Sequence, residues 1–445
     1  MNLSKTTHTF SLANIWLVLL ILSFSYDRPI YLFSNIDRLN PRLFDVVTII
    51  GFILLLKKGI PVKILNPIYK SYLRIVLWFV FCTLIGILLY NFPIRINGFS
   101  IFFVGKYLQE LFICFVLITY LKYHKIDYHK LFKLIAFCGV FVSFYCFYEY
   151  NAVDSSIINI TSDLSINKSK GLIWGPFRMS YFQISNYSPI VGFITLCYSL
   201  SKKGFGKYIY IFLSIIIYIP SLYSGSRASV GLLLILLFVA SLLELKFRKI
   251  LVFVFFLVFG FAFFNVEIIS ESLFVSENVT FNRFVNMSDI NVDNSVLGRL
   301  NLFLIWFYRF SEYAYNGFFV PFIGGGFYVA PMNGSYRIGF GWHNIYLFVV
   351  EQAGIFGLVL FYSFIKKVLN TLRANYKQLK KHTVEHWFVF SVRVIFISII
   401  IIGIFGAHSF WNGFSTGNFN SFRLVLIILA THSFIKNTHE KNIIN

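Results

Sequence analysis

Three stretches of this chain carry residue types suited to chemistry on a phosphorylated group. The first is Ser224-Gly225-Ser226-Arg227-Ala228-Ser229. Small residues let helices approach closely. An arginine opening a helix adds its charge to free N–H groups and a positive dipole end, which together favour an anion. A snorkelling arginine in a tight turn is the bland alternative. The second stretch is Gly298-Arg299-Leu300, followed by Trp306, and offers another guanidinium. The third is Trp342-His343-Asn344-Ile345-Tyr346-Leu347, continuing to Glu351, Gly354 and Gly357. His343 is expected to begin a helix, and a neutral imidazole there can accept a proton. Glu351 falls about two turns further along, roughly on the same side. Ionisable groups in such apolar surroundings are costly and are either paired or functional. His343 as an interfacial cap and Glu351 as a structural partner are the plain alternatives. Gly354 and Gly357 suit close helix packing.

These stretches have to be positioned by a chain that is 58% hydrophobic and 13% charged. A soluble domain carries about a quarter charged residues and under half apolar ones, so this composition calls for lipid as solvent. A bilayer core of roughly 30 Å needs about 20 apolar helical residues. About twelve such spans are expected, over 10–26, 43–56, 73–90, 99–121, 131–150, 181–200, 208–223, 229–245, 250–266, 343–365, 387–409 and 420–435. The second is the weakest. The first lacks a cleavage site and is followed by Asp27-Arg28-Pro29, so it reads as an uncleaved span. The expected fold is therefore an all-α polytopic membrane protein, residues 1–445 forming one membrane domain.

Charge orients it. One set of alternate loops holds 24 of the 39 basic residues, which by the positive-inside rule puts both termini in the cytoplasm. The two sides also differ in kind. The cytoplasmic clusters are mostly lysine, whereas the outer side is mostly arginine, including Arg178, Arg227, Arg299, Arg337 and Arg423. Lysine suffices as a topological charge, while arginine grips phosphate or carboxylate bidentately. Two outer loops are long: 151–180, and a larger one over 267–342 between the ninth and tenth spans. The larger loop contains Ile323-Gly324-Gly325-Gly326-Phe327. Loops of that length are functional or disordered, and short helices folded over the membrane face are expected in it.

Several classes are excluded. The +21 formal charge is scattered between apolar runs and makes no basic face for nucleic acid. No Walker loop, HExxH or cysteine cluster is present, and no acidic ring or repeated pore signature of a channel. The five cysteines lie within apolar runs without metal-ligand spacing and read as packing residues.

The Ser-Arg-x-Ser turn, the long outer loop with Gly-Arg and Gly-rich pieces, and the His-Asn-x-Tyr-Leu run ending in Glu, Gly and Gly together resemble the O-antigen polymerase and ligase superfamily. The resemblance covers about 220–365, and the first half of the chain matches only in its pattern of spans. It implies an enzyme on the outer, periplasmic face of the bacterial inner membrane, whose donor is a glycan on undecaprenyl pyrophosphate. It implies no nucleotide sugar, metal or other cofactor, and a chain-length regulator as protein partner. Arg227 and Arg299 would hold the pyrophosphate and stabilise its developing charge, and His343 would activate the acceptor hydroxyl, inverting the anomeric centre. Arg337, Arg178, Glu351 and Asn344 are further candidate contacts for pyrophosphate or glycan. The Phe-, Ile-, Asn- and Lys-rich bias favours a polymerase over a ligase that transfers the chain to lipid A–core. A flippase for the same lipid-linked units is the alternative from another class. It would show internal repeats or helices broken at mid-membrane, and no clear repeat is visible.

Overall fold

A computed structural model of the chain describes residues 12–25, 42–58, 66–89, 94–124, 126–152, 181–223, 227–252, 304, 307, 320–324, 344–403 and 421–432. The described residues are all-helical, with no β-strand. The principal helices are α1 (Leu12–Ser23), α2 (Leu43–Lys58), α3 (Pro67–Leu89), α4 (Ile94–Tyr123), α5 (Tyr128–Ala152), α6 (Tyr181–Ser199), α7 (Phe205–Tyr223), α8 (Arg227–Leu243), α9 (Ile345–Gln378), α10 (Val384–Ile402) and α11 (Ser421–His432). A short turn, Val320–Ile323, packs on α9.

Polar caps start these helices where the apolar runs begin. Asp45 accepts from the Arg42 amide at 2.7 Å, so the weak second span begins as a real helix. Asn66 accepts from the amides of Ile68 and Tyr69, with Pro67 at the first helical position where its missing N–H costs nothing. Asp127 caps α5 through the His129 and Lys130 amides, and Thr383 caps α10 through the His386 amide at 3.2 Å.

Five of the helices contain stretches long and apolar enough to cross a bilayer: Pro67–Leu88, Val104–Tyr123, Tyr128–Tyr148, Ile345–Gln378 and Val384–Ile402. Shorter apolar helices accompany them. Phe52, Leu84, Phe144, Phe212 and Phe356 stand exposed on the outside of the bundle, as side chains facing lipid do. The centre is α6, which packs on α5, α7, α8 and α10 and buries Tyr187, Ile190, Phe193 and Ile194. All five cysteines are free and buried. The expected span over 250–266 enters the described residues only at 250–252, at the end of a helical stretch over 245–252. Most of the two long loops, 151–180 and 267–342, lies outside them.

The tenth expected span differs from the sequence reading. It is not one straight helix over 343–365. Helix α9 begins at Ile345, continues to Gln378, and is broken at Gly354, whose φ of 66° and ψ of −172° are not helical. Tyr346 and Phe361 are fifteen residues apart, about 22 Å along an unbroken helix, yet their ring centroids are 6.3 Å apart. The arm 345–353 is therefore folded back beside the longer arm. Gly324, at φ 78°, is stacked on the break. A Cβ built on Gly354 would come within 2.1 Å of Phe322 O, and one on Gly324 within 2.3 Å of Gln352 O and Ala353 N. Two glycines with positive φ thus each lie against the backbone of the residues preceding the other, an approach that a side chain at either position would block. Trp78, the middle residue of α3, donates its indole N–H to Ala353 O at 2.8 Å, so the break lies level with the centre of that helix.

Gly354→Ala is expected to destabilise the protein by about 2 kcal/mol or more, from left-handed strain together with the clash. Gly231→Ala in α8, where a Cβ meets nothing within 4 Å, should be neutral or mildly stabilising. Thermal midpoints of the detergent-purified variants check this, and equal midpoints would show that the fold-back does not contribute to stability.

Candidate functional site

The site is built around the short arm of α9. Asn344 takes extended angles (φ −146°, ψ 120°), and its side chain accepts from the amides of Tyr346 and Leu347 at 2.9 and 3.1 Å. An Asn at this position is a strong helix-start signal. It sets the helix start two residues beyond His343, so His343 precedes the helix instead of opening it. The Ile345 amide donates to Gly403 O at 2.9 Å, and the Tyr346 hydroxyl to Ile400 O at 3.1 Å. These bonds tie the start of α9 to the end of α10. Between the two lies a small apolar cavity of about 10 Å³, lined by Ile345, Tyr346, Phe361, Phe364, Ile365, Phe396, Ile399 and Ile400.

Helices α8 and α10 pack together. Phe247, just past α8, stacks near Phe390 and Trp387 at the beginning of α10, so the two helices run antiparallel. Leu243 to Arg227 and Trp387 to Gly403 each span about 24 Å of helix. Their far ends come level, and the backbone of Arg227 enters the bundle at the same end as Asn344. The Arg227 side chain, and the whole of His343, Arg299, Arg337 and Arg178, lie outside the described residues. Of the remaining candidates, Asn344 is the cap just described, and Glu351 is buried in the short arm beside the break. Its neighbour Gln352 is also buried, and Gln352 Oε1 has no hydrogen-bond partner among the described residues.

The structure adds a polar interior that the sequence reading did not assign to the site. Glu110, in the apolar run of α4, is buried and accepts from the Tyr72 hydroxyl at 2.7 Å. Arg423, only 2% exposed, donates from Nη2 to Asn186 Oδ1 at 3.3 Å. Lys106 pairs with Asp45 at 3.0 Å, and Gln109 bridges Asp45 and Thr48 at 2.7 and 2.9 Å. Ser25 and Tyr187 share a hydrogen bond of 2.6 Å. Phe422, adjacent to Arg423, packs on both Phe24 and Tyr187. These contacts connect the α1–Ser25 end, α6 and α11. Charges within apolar helices were the signal: Lys106, Glu110 and Arg423 each interrupt a run that is otherwise nearly uncharged. Among the described residues no three His, Cys, Asp or Glu side chains come together as metal ligands.

The fold defines a class, an all-helical protein whose apolar helices suit a membrane. Comparison with protein-family models gives no match for this chain, and comparison with curated proteins gives none.

Asn344→Ala is expected to cost about 1 kcal/mol through loss of the cap, whereas Asn344→Asp, which keeps an acceptor, should retain it. Thermal unfolding of the two variants separates a capping role from a purely surface one, for which both would match the parent.

Proposed function

We propose that this chain is a membrane glycosyltransferase that polymerises an O-antigen-type surface polysaccharide. It transfers the growing glycan from undecaprenyl pyrophosphate onto the next lipid-linked repeat unit, at the outer face of the bacterial cytoplasmic membrane. The observation that carries this reading is the close backbone approach of residues 322–324 to residues 352–354. Two stretches that bear the resemblance, the Gly-rich piece of the outer loop and the Glu-Gly-Gly end of the His-Asn motif, meet there as one unit.

The roles follow from the chemistry. The bond between the anomeric carbon and the phosphate oxygen breaks, and negative charge gathers on the departing pyrophosphate. Arg227 and Arg299 hold that group and stabilise the charge, with Arg337 and Arg178 as further phosphate contacts. The acceptor hydroxyl attacks from the opposite face and forms the glycosidic bond, and its proton passes to the His343 imidazole. Asn344 and Glu351 act on the glycan side. The carrier's hydrocarbon tail stays in the lipid, beside the exposed apolar faces of the bundle, because the apolar cavity under the Asn344 cap has room for no more than about one water-sized group. The Tyr346 hydroxyl is already engaged by Ile400 O. A chain-length regulator is the partner this reading calls for.

A second reading is favoured by one observation. A helix broken level with the middle of a neighbouring span is a feature of transporters, and a flippase for lipid-linked oligosaccharide would use the break at Gly354 as its binding point. One assay separates the two. Purified protein in detergent, given lipid-linked repeat units, should lengthen the glycan, and Arg227→Ala and His343→Ala should each abolish lengthening while still inserting in the membrane. No lengthening by the parent protein favours the flippase, and full-length product from either variant removes that residue from its role. In cells, loss of a polymerase leaves single repeats on lipid A–core, whereas loss of a ligase strands long chains on the carrier lipid.

A further inference from the structure

The far end of the bundle from Asn344, which the charge pattern assigns to the cytoplasm, holds a second cluster that the proposed reaction does not use. The end of α8, the end of α9 and the turn into α10 converge there. Lys246 Nζ lies 3.2 Å from His382 Nδ1 and 5.4 Å over the Trp387 ring. The His382 ring is 6.4 Å from that of His386 and 6.2 Å from that of Trp387. Tyr376 closes the other side, 4.6 Å from His386. His382 has a φ of 67°, a left-handed backbone uncommon outside glycine, in the turn that leads into α10.

The beginning of α10 is one half of the argument. Its first-turn amides and positive dipole end favour an anion. Thr383 already takes the His386 amide, and Glu385, whose Oε1 is buried without a hydrogen-bond partner among the described residues, lies in the same turn and offsets part of that field. Glu244 is engaged by the Tyr376 hydroxyl at 3.2 Å, while Lys246 and Lys381 add positive charge. The other half is a pair of buried polar atoms. His386 is 2% exposed and Trp387 0% exposed, and neither His386 Nδ1 nor Trp387 Nε1 has a hydrogen-bond partner among the described residues. An indole nitrogen can only donate, so it calls for an acceptor. The adjoining surface is apolar: Leu242 and Leu245, 59% and 67% exposed, flank Lys246. A ligand that presents phosphate oxygens to Lys246 and hydrocarbon to these leucines fits the exposed side of this junction, with the polar atoms of His386 and Trp387 buried directly behind it.

We infer that the junction of Lys246, His382 and the start of α10 binds the phosphodiester headgroup of an anionic membrane lipid. Basic pockets between helices on the cytoplasmic side hold such headgroups elsewhere. Free phosphate shares the chemistry but leaves the leucines uncovered.

The test uses the full chain purified in neutral detergent. Native mass spectrometry and thermal unfolding are run with phosphatidylglycerol, with phosphatidylcholine and with inorganic phosphate. Phosphatidylglycerol should be retained in preference to phosphatidylcholine and should raise the unfolding midpoint. Lys246→Gln combined with His382→Asn, the latter chosen because Asn tolerates the left-handed backbone, should weaken retention about fivefold or more. Competition by inorganic phosphate would support the shared chemistry. Stabilisation by inorganic phosphate without retention of phosphatidylglycerol would overturn the lipid as occupant. Equal retention of the two lipids by the parent protein would overturn the site itself, whether or not the variant folds.

Discussion

Within a bilayer a helix can be interrupted only where other groups take up the hydrogen bonds that the interruption releases, because no water is at hand to do so. Helix α9 meets that requirement at Gly354. The indole of Trp78 reaches Ala353 O from a helix 275 residues away in sequence. Gly324 lies directly on Gln352 and Ala353, where a side chain would have no room. At the far end of the short arm, Asn344 satisfies two amides and Gly403 O accepts a third. The arm is thus held at both ends by groups outside itself. Its apolar residues, Phe348 and Val349 among them, are buried in the bundle.

Around this arm the bundle is not uniformly oily. Glu110 with Tyr72, Arg423 with Asn186, and Lys106 with Asp45 each place an ionisable group among apolar helices. Isolated charges in such surroundings are expensive, and every one of these has a short-range polar contact. The arrangement stiffens the interior near α1, α2, α4, α6 and α11. The outward faces remain hydrocarbon-compatible.

The helices themselves are legible in the sequence, since a run of apolar residues long enough to cross lipid has few other uses. Even α2, the shortest of the expected spans, is marked by Asp45 just inside its start. The fold-back of α9 is not legible in the same way. Val350, Ala353, Ile355 and Phe356 continue the apolar pattern straight through Gly354, and a glycine in such a run reads as a packing position. What turns it into a reversal is Gly324, in the segment that precedes α9, together with Trp78 of α3, and neither proximity is written in local periodicity. The helix start was readable from Asn344, whose capping preference sets the boundary two residues beyond His343. Arg423 was recognisable by type, but its pairing with Asn186 depends on α6 and α11 lying side by side. The cluster at Lys246, His382 and Trp387 was hidden for the same reason, because it draws on three separate helix ends.

The joint between Gly324 and Gly354 also constrains how the protein is made. Gly324 belongs to the long segment that precedes α9, and Gly354 leaves the ribosome after it. The reversal needs both, and it needs α3 already standing in the membrane to present Trp78. A nascent 345–365 segment is by its own sequence an ordinary apolar stretch, and its bend depends on contacts with segments already synthesised.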